Sequence, residues 1–153
     1  MIYALLALAA VQANPVPIAF DPPGALNPAV TQENIATTIC VRHWATDHRP
    51  DRKLTWKFKR ALLHTAHLDG KSRRYVLDHP VSIELGGAPL DGKNFMLQTI
   101  KEGKMKDWVE GFLNRRVCAG TETLASAQVR VLDWRPVYTA NHGKKVVRHR
   151  HPL

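Results

Sequence analysis

The chain has 153 residues, a length that predicts one domain with a single core, and 44% of its residues are hydrophobic, as in a folded protein. Its 22 Lys and Arg against 13 Asp and Glu give a formal net charge of +9. This charge favours a polyanionic partner, although composition alone leaves nucleic acid, acidic glycan, anionic lipid and simple solubility all open.

The N-terminal stretch predicts an exported protein. Residues 1–13 are an apolar run that ends in small residues, with Val11 and Ala13 where a signal peptidase would read them before a cut at Asn14. No Lys or Arg precedes the apolar run, so a misplaced start or a buried N-terminal helix stays open. An apolar run of about ten residues is too short to span a membrane. We therefore expect a periplasmic or extracellular protein with no stable membrane insertion after signal cleavage.

The next segments are predicted from proline, capping and periodicity. Residues 14–30 hold five of the ten prolines and should be extended and irregular. The predicted domain covers 31–138 and begins with Thr31 capping a short helix, followed by a strand-like piece, "TICV". Apolar residues at helical spacing, Leu54 to Leu62, then predict a helix over 52–68 whose other face is basic.

The second half of the chain predicts a strand-and-loop region followed by helices. "YVLDHPVSIEL" should form two short strand pieces, and "GGAPLDGKN" a turn-rich loop. One apolar stripe at helical spacing marks the longer helix that follows, formed by Met105, Trp108, Val109, Phe112 and Leu113. A last helix should run to about Asp133 and stop at "WRP", and residues 139–153 should be a basic, disordered tail.

The two cysteines predict one disulfide. Cys40 and Cys118 are an isolated pair, and an even number of cysteines in an exported chain favours a bridge. Two buried free thiols in a cytoplasmic protein remain the alternative. Metal binding by two cysteines without CxxC spacing is weakly indicated.

The residues most suited to catalysis lie in "DHPVSIELGGAP". The imidazole of His79 can take a proton from water near neutral pH, and the adjacent carboxylate of Asp78 can hold a divalent cation. Neighbouring side chains on a regular strand point to opposite faces, so the chain must bend here for both to serve one site. Pro80 and the Gly86-Gly87 pair supply interruptions, and Asn94 can brace the loop with its amide.

This pattern resembles the HNH nucleases, whose ββα-metal module reads Asp-His, apolar residues, a Gly-Gly turn and then Asn before a helix. The likeness extends over roughly residues 28 to 135, in "VTQENIATTIC", "RPDRKLTWKFKR" and "KDWVEGFLNRRVCAGTETLASAQ", and is that of an exported bacterial HNH-like subgroup with a Cys on each side of the module. It implies an α+β fold in which a small ββα-metal hairpin packs among helices.

The resemblance also implies residue roles. His79 would be the general base, Asp78 a metal ligand, and Asn94 the loop brace or a secondary ligand. No His or Asn stands at the start of the following helix, where the third ligand belongs; Lys104 lies near that position, and Gln98, Glu102 or water could substitute. The implied ion is Mg²⁺, or else Mn²⁺, because both accept oxygen ligands.

The implied activity is metal-dependent and largely sequence-independent hydrolysis of phosphodiester bonds in DNA or RNA. A degenerate module that binds nucleic acid or an envelope polyanion without cutting it is the alternative that the missing third ligand keeps open. A basic cluster is expected to track phosphates, with Trp56 stacking on an unpaired base, unless the cluster is only a solvated face. Its members are Arg49, Arg52, Lys53, Lys57, Lys59 and Arg60.

Overall fold

The computed structural model describes residues 24–142, and all statements below concern that part of the chain. The predicted signal peptide, most of the predicted Pro-rich segment and nearly all of the predicted tail lie outside the described residues. The regular elements are the helices α1 (Trp44–Asp47), α2 (Arg52–Thr65), α3 (Ile100–Cys118), α4 (Leu124–Leu132) and α5 (Trp134–Asn141) and the strands β1 (Tyr75–Asp78) and β2 (Met96–Thr99).

The sheet is one antiparallel hairpin with a long connection. Tyr75 lies opposite Thr99 and Asp78 opposite Met96, and residues 79–95 join the two strands. The strand predicted after Pro80 is wrong, because Ile83–Leu85 forms a 3₁₀ turn and the partner strand comes later. An α+β fold is confirmed.

Helix α3 forms the centre of the hydrophobic core. Val109, Leu113 and Val117 are fully buried on it, and α4 and α5 pack against it. The predicted stripe is confirmed, since Met105, Trp108 and Phe112 pack half-buried against the core that holds Val109 and Leu113. Trp108 also belongs to an aromatic group, stacking on Phe112 and meeting Tyr138 of α5 edge to face.

The helix predicted to run to about Asp133 is α4, which ends at Leu132 as expected, but it is not the last helix. The "WRP" sequence opens α5 instead of stopping the chain, because Pro136 stands in the first turn, where a helix has no partner for the missing N–H. Helix α5 runs to Asn141 and so includes the first residues of the predicted tail.

The segment before α2 is tied to α3 by the predicted bridge. Gln32–Thr37 is helical as expected, but of the 3₁₀ type, and Thr31 caps it. The predicted strand at residues 38–41 is wrong, because the chain turns there. That turn brings Cys40 to Cys118, with Cα atoms 5.5 Å apart, and confirms the disulfide.

The helix predicted over 52–68 is α2, which ends three residues early, at Thr65. Asp51 caps it by accepting from the backbone N–H of Lys53 at 2.7 Å. None of the helices within residues 24–142 combines the length and the apolar character needed to cross a bilayer.

Candidate functional site

A cleft of about 650 Å³ opens between the end of β1, the start of α3 and the chain that enters α2. Asp78 and His79 both line it, so the bend required to bring these neighbours to one site is present. The charged residues that share the cleft with them are Arg49, Arg52, Glu84, Lys104, Asp107 and Glu110. The cleft therefore brings cationic and anionic side chains together around His79.

His79 follows the last residue of β1, and Pro80, which has no N–H to donate, helps to end the strand there. The His79 ring packs 4.9 Å from the Phe95 ring, and its Nε2 lies 3.1 Å from the backbone oxygen of Pro89. A carbonyl only accepts, so Nε2 carries the hydrogen of the neutral ring and Nδ1 is unprotonated. No group among residues 24–142 hydrogen-bonds to this Nδ1.

The surroundings of His79 favour the neutral form of its imidazole. Burial is the largest effect and lowers the pKa of its imidazole below the usual 6.5, although the Pro89 carbonyl and Asp78 oppose the shift. The nearby cations Lys106 and Arg49 lower this pKa further. A neutral ring with one nitrogen fixed to a carbonyl has the form that a general base needs.

Asp78 faces α3. Its Oδ1 accepts the backbone N–H of His79 at 2.8 Å, and its Oδ2 is buried 3.4 Å from Nζ of Lys106. Oδ2 has no hydrogen bond of good geometry within the described residues. Both carboxylate oxygens of Asp78 are thus turned to protein groups.

Asn94 braces the connection between the strands, the first of the two roles expected for it. The side chain is fully buried, its Oδ1 accepts from the Val81 N–H at 3.0 Å, and its Nδ2 donates to the carbonyls of Val81 and Ala88, both at 2.9 Å. Gly87 makes this possible, because a Cβ there would lie 1.9 Å from the Val81 oxygen.

Gln98 lies on the same face of the hairpin as Asp78, since Gln98 is opposite Val76 and Asp78 is opposite Met96. It is 5% exposed, and its Oε1 has no hydrogen-bond partner among residues 24–142. This oxygen sits where Gly103 of α3 passes close to the strands. Gln98 does not line the cleft.

Two residues at the base of the site were not expected, Lys106 and Glu110. Lys106 is fully buried on α3 and donates to the His79 carbonyl at 2.6 Å and to Glu110 one turn later. The signal in the sequence is their spacing: both fall in line with Gly103 and Leu113, at i, i+3 and i+4 steps that define one face of a helix.

Glu84 and Asp107 are two further carboxylates of the cleft. Burial, followed by the charge of Asp107, raises the pKa of the Glu84 carboxyl. Burial, followed by the charge of Asp78, raises the pKa of Asp107. Arg49 opposes both shifts, so its charge acts on both carboxylates as well as on His79.

The predicted basic cluster divides into two groups. Arg49 and Arg52 line the cleft beside His79. Lys53, Lys57 and Arg60 are exposed and lie at i, i+4 and i+7 on another face of α2.

Lys59 does not belong to this exposed group, because its side chain is half-buried. It donates to the Ser72 carbonyl at 2.9 Å, and its Nζ lies 5.6 Å from the centre of the Trp56 ring, which is 45% exposed. Partial burial lowers the pKa of Lys59. Trp56 thus keeps part of its ring surface exposed.

The predicted ligands do not fit the divalent ion that the resemblance implies. Asp78 has both oxygens turned to protein groups, Asn94 is closed in by backbone, and the Gln98 oxygen lies outside the cleft. Within residues 24–142, no three His, Cys, Asp or Glu side chains are grouped closely enough to hold a metal ion.

Comparisons with protein-family models, with curated proteins and with solved structures found no match for this chain.

Proposed function

We propose that this protein hydrolyses phosphodiester bonds in DNA or RNA, with little regard to sequence, and that His79 is the general base. The observation that carries the proposal is the hydrogen bond from Nε2 of His79 to the Pro89 carbonyl. It fixes the tautomer in which Nδ1 can accept a proton from an attacking water. The ring lies in a cleft large enough for a phosphate and part of its nucleotide.

Arg49 and Arg52 are the residues proposed to bind the substrate phosphate. Both residues line the cleft with His79, and arginine matches the geometry of a phosphate with two parallel hydrogen bonds. They would hold the scissile phosphate and offset the negative charge that grows on it as water attacks. The exposed cations of α2 would continue this contact along the nucleic acid.

The order of the elements supports an HNH-like module. The strands β1 and β2 and the helix α3 follow one another along the chain, with Asp78 and His79 at the end of the first strand and Asn94 in the loop, as the resemblance implies. The Cys40–Cys118 bridge supports a site of action outside the cytoplasm, since disulfides persist mainly in oxidising compartments.

Replacement of His79 tests the proposal. Chelator-treated and Mg²⁺- or Mn²⁺-supplemented protein should be assayed for nicking of plasmid and digestion of RNA. We expect His79→Ala to lower the rate by about 10² to 10⁴ while leaving nucleic-acid affinity unchanged, because the base is lost and the basic surface is not. His142→Ala is the matched control, because His142 does not line the cleft. Equal cleavage by His79→Ala and wild type would refute the assignment.

A second candidate is a module that binds nucleic acid without cutting it. The contact of Lys106 with Asp78 favours this candidate, because the carboxylate that the resemblance gives to a metal is already paired. Wild-type protein that binds DNA or RNA but releases no product under any of the conditions above would establish the second candidate in place of the first.

A further inference from the structure

Three oxygens surround the side-chain nitrogen of Lys106. Nζ lies 2.6 Å from the His79 carbonyl, 3.4 Å from Oδ2 of Asp78, and in close contact with Oε1 of Glu110. The Lys106 side chain is 0% exposed, and that of Glu110 is 10% exposed. A carbonyl and two carboxyl groups around one buried cation make a set of donors that would equally suit a hard metal ion.

The ammonium is held in this group of oxygens. Burial disfavours the charged form of Lys106, but the Glu110 and Asp78 carboxyl groups outweigh this effect and raise the pKa of Lys106 above its usual value. Its three oxygen contacts therefore hold Lys106 as a buried cation beside Asp78.

The position of this ammonium is the one expected for the metal. The resemblance puts the ion between the Asp of the Asp-His pair and the helix that follows the hairpin. In this protein Lys106 reaches from that helix to Asp78, whose other oxygen is taken by the His79 N–H. A divalent ion would have to displace the ammonium or lie beside it against like charge.

We propose that the Lys106 ammonium takes the structural place of the divalent ion, so that Asp78 binds no metal and the cleft forms without one. Lys106 acts as a positioning residue: it holds the carbonyl of His79 and the side chain of Asp78, and its burial keeps it from touching a phosphate. The assignment of charge stabilisation to Arg49 and Arg52 rests on the proposed function, whereas the absence of a metal at Asp78 does not.

Manganese binding by the full mature chain tests the proposal directly. After chelation and dialysis, Mn²⁺ is titrated into wild type and Asp78→Asn, and free Mn²⁺ is followed by electron paramagnetic resonance. The expected result is the same number of bound ions in both proteins, with no shift of wild-type Tm on adding Mn²⁺. One stoichiometric ion in wild type that Asp78→Asn loses would overturn the proposal.

Removing the ammonium should create the metal site that wild type lacks. In Lys106→Ala the three oxygens would face an empty space, so we expect a gain of one bound Mn²⁺ and a rise in Tm with Mn²⁺. Lys101→Ala, an exposed change on the same helix, should gain neither. A folded Lys106→Ala protein that binds no Mn²⁺ would count against the donor set described above. If this variant does not fold, the Mn²⁺ titration of wild type and Asp78→Asn tests the proposal by itself.

Cleavage assays separate this proposal from the proposed function. Chelated wild type that cuts nucleic acid at its full rate supports both. Cleavage only with a divalent ion, together with Asp78-dependent Mn²⁺ binding, overturns the lysine assignment and leaves the nuclease in place. No cleavage under any condition removes the nuclease, while the Mn²⁺ titration still gives its own answer.

Discussion

At the scale of single residues, the protonation of His79 should set the acid limit of activity. Its pKa is lowered from 6.5 by burial first and by nearby cations second, so the base stays available below pH 6.5. We expect kcat/KM to fall only in that more acidic range. Arg49→Gln removes one of those cations and should move the acid limb toward higher pH, whatever it does to the rate. A limb at or above pH 6.5 in wild type would contradict this prediction.

The same residue links stability to pH in a direction that can be worked out. Between its lowered folded pKa and 6.5, the unfolded chain binds a proton at His79 that the folded protein does not. The free energy of unfolding should therefore fall as the pH drops through that window, and level off above it. Urea denaturation of wild type and His79→Gln should show this component in wild type alone.

The sequence located some of these residues and missed others for a clear reason. Asp78, His79 and Asn94 stand in a local pattern, so their closeness follows from the chain itself. Lys106 and Glu110 are charged residues on a helix, and such residues are seldom fully buried unless paired. Their i, i+4 spacing is visible in the sequence, whereas their burial and the contact of Lys106 with Asp78 depend on where β1 ends relative to α3, which no local pattern contains.

At the scale of elements, the connection between the strands depends on Gly87. A Cβ there would lie 1.9 Å from the Val81 oxygen and 2.8 Å from Nδ2 of Asn94, so Gly87→Ala must break the brace. We expect a loss of more than about 4 kcal/mol in the free energy of unfolding, measured in urea. Gly92→Ala is the control, because its Cβ would meet nothing closer than 3.9 Å. Similar stability of the two variants would disprove the brace.

The two basic groups around α2 should differ in what they do. Arg49→Gln with Arg52→Gln, and Lys53→Gln with Lys57→Gln, remove the same charge from the cleft and from the exposed face. Each pair should weaken DNA binding and reduce the salt slope by about 0.9 per lost phosphate contact. Only the first pair should also lower kcat. A slope that neither pair changes would mean that these cations are merely solvated.

Helices were easier to predict than strands. The periodicity of α2 and the apolar stripe of α3 are local, whereas the second strand, Met96–Thr99, is short and has no alternation of its own. Residues 79–95 separate this strand from its pairing partner, β1. The apolar piece nearer to β1 forms a 3₁₀ turn because its carbonyl groups accept hydrogen bonds from the Gly-Gly loop. Tertiary contacts decided the assignment there.

At the scale of the whole molecule, the disulfide holds the N-terminal segment to the core helix. The bridge spans 78 residues, and on the loop-entropy model it is worth about 4 to 5 kcal/mol. The double change Cys40→Ser with Cys118→Ser should lose that much free energy of unfolding and still cut nucleic acid below its new Tm. Reducing agent should destabilise wild type and leave the double variant unaffected. Equal stability of wild type and the double variant would refute the stabilisation expected from the bridge.

The attachment of the N-terminal segment also sets an order of events during synthesis. The Gln32 side chain accepts a hydrogen bond from the Leu124 N–H at 2.7 Å, and the Ile39 carbonyl accepts one from the Asn114 side chain at 3.2 Å. In each pair, the ribosome adds the second residue much later than the first. Most of the chain must emerge before this segment can dock. Docking of the N-terminal segment, and with it the meeting of Cys40 and Cys118, therefore cannot precede the synthesis of α3 and the start of α4.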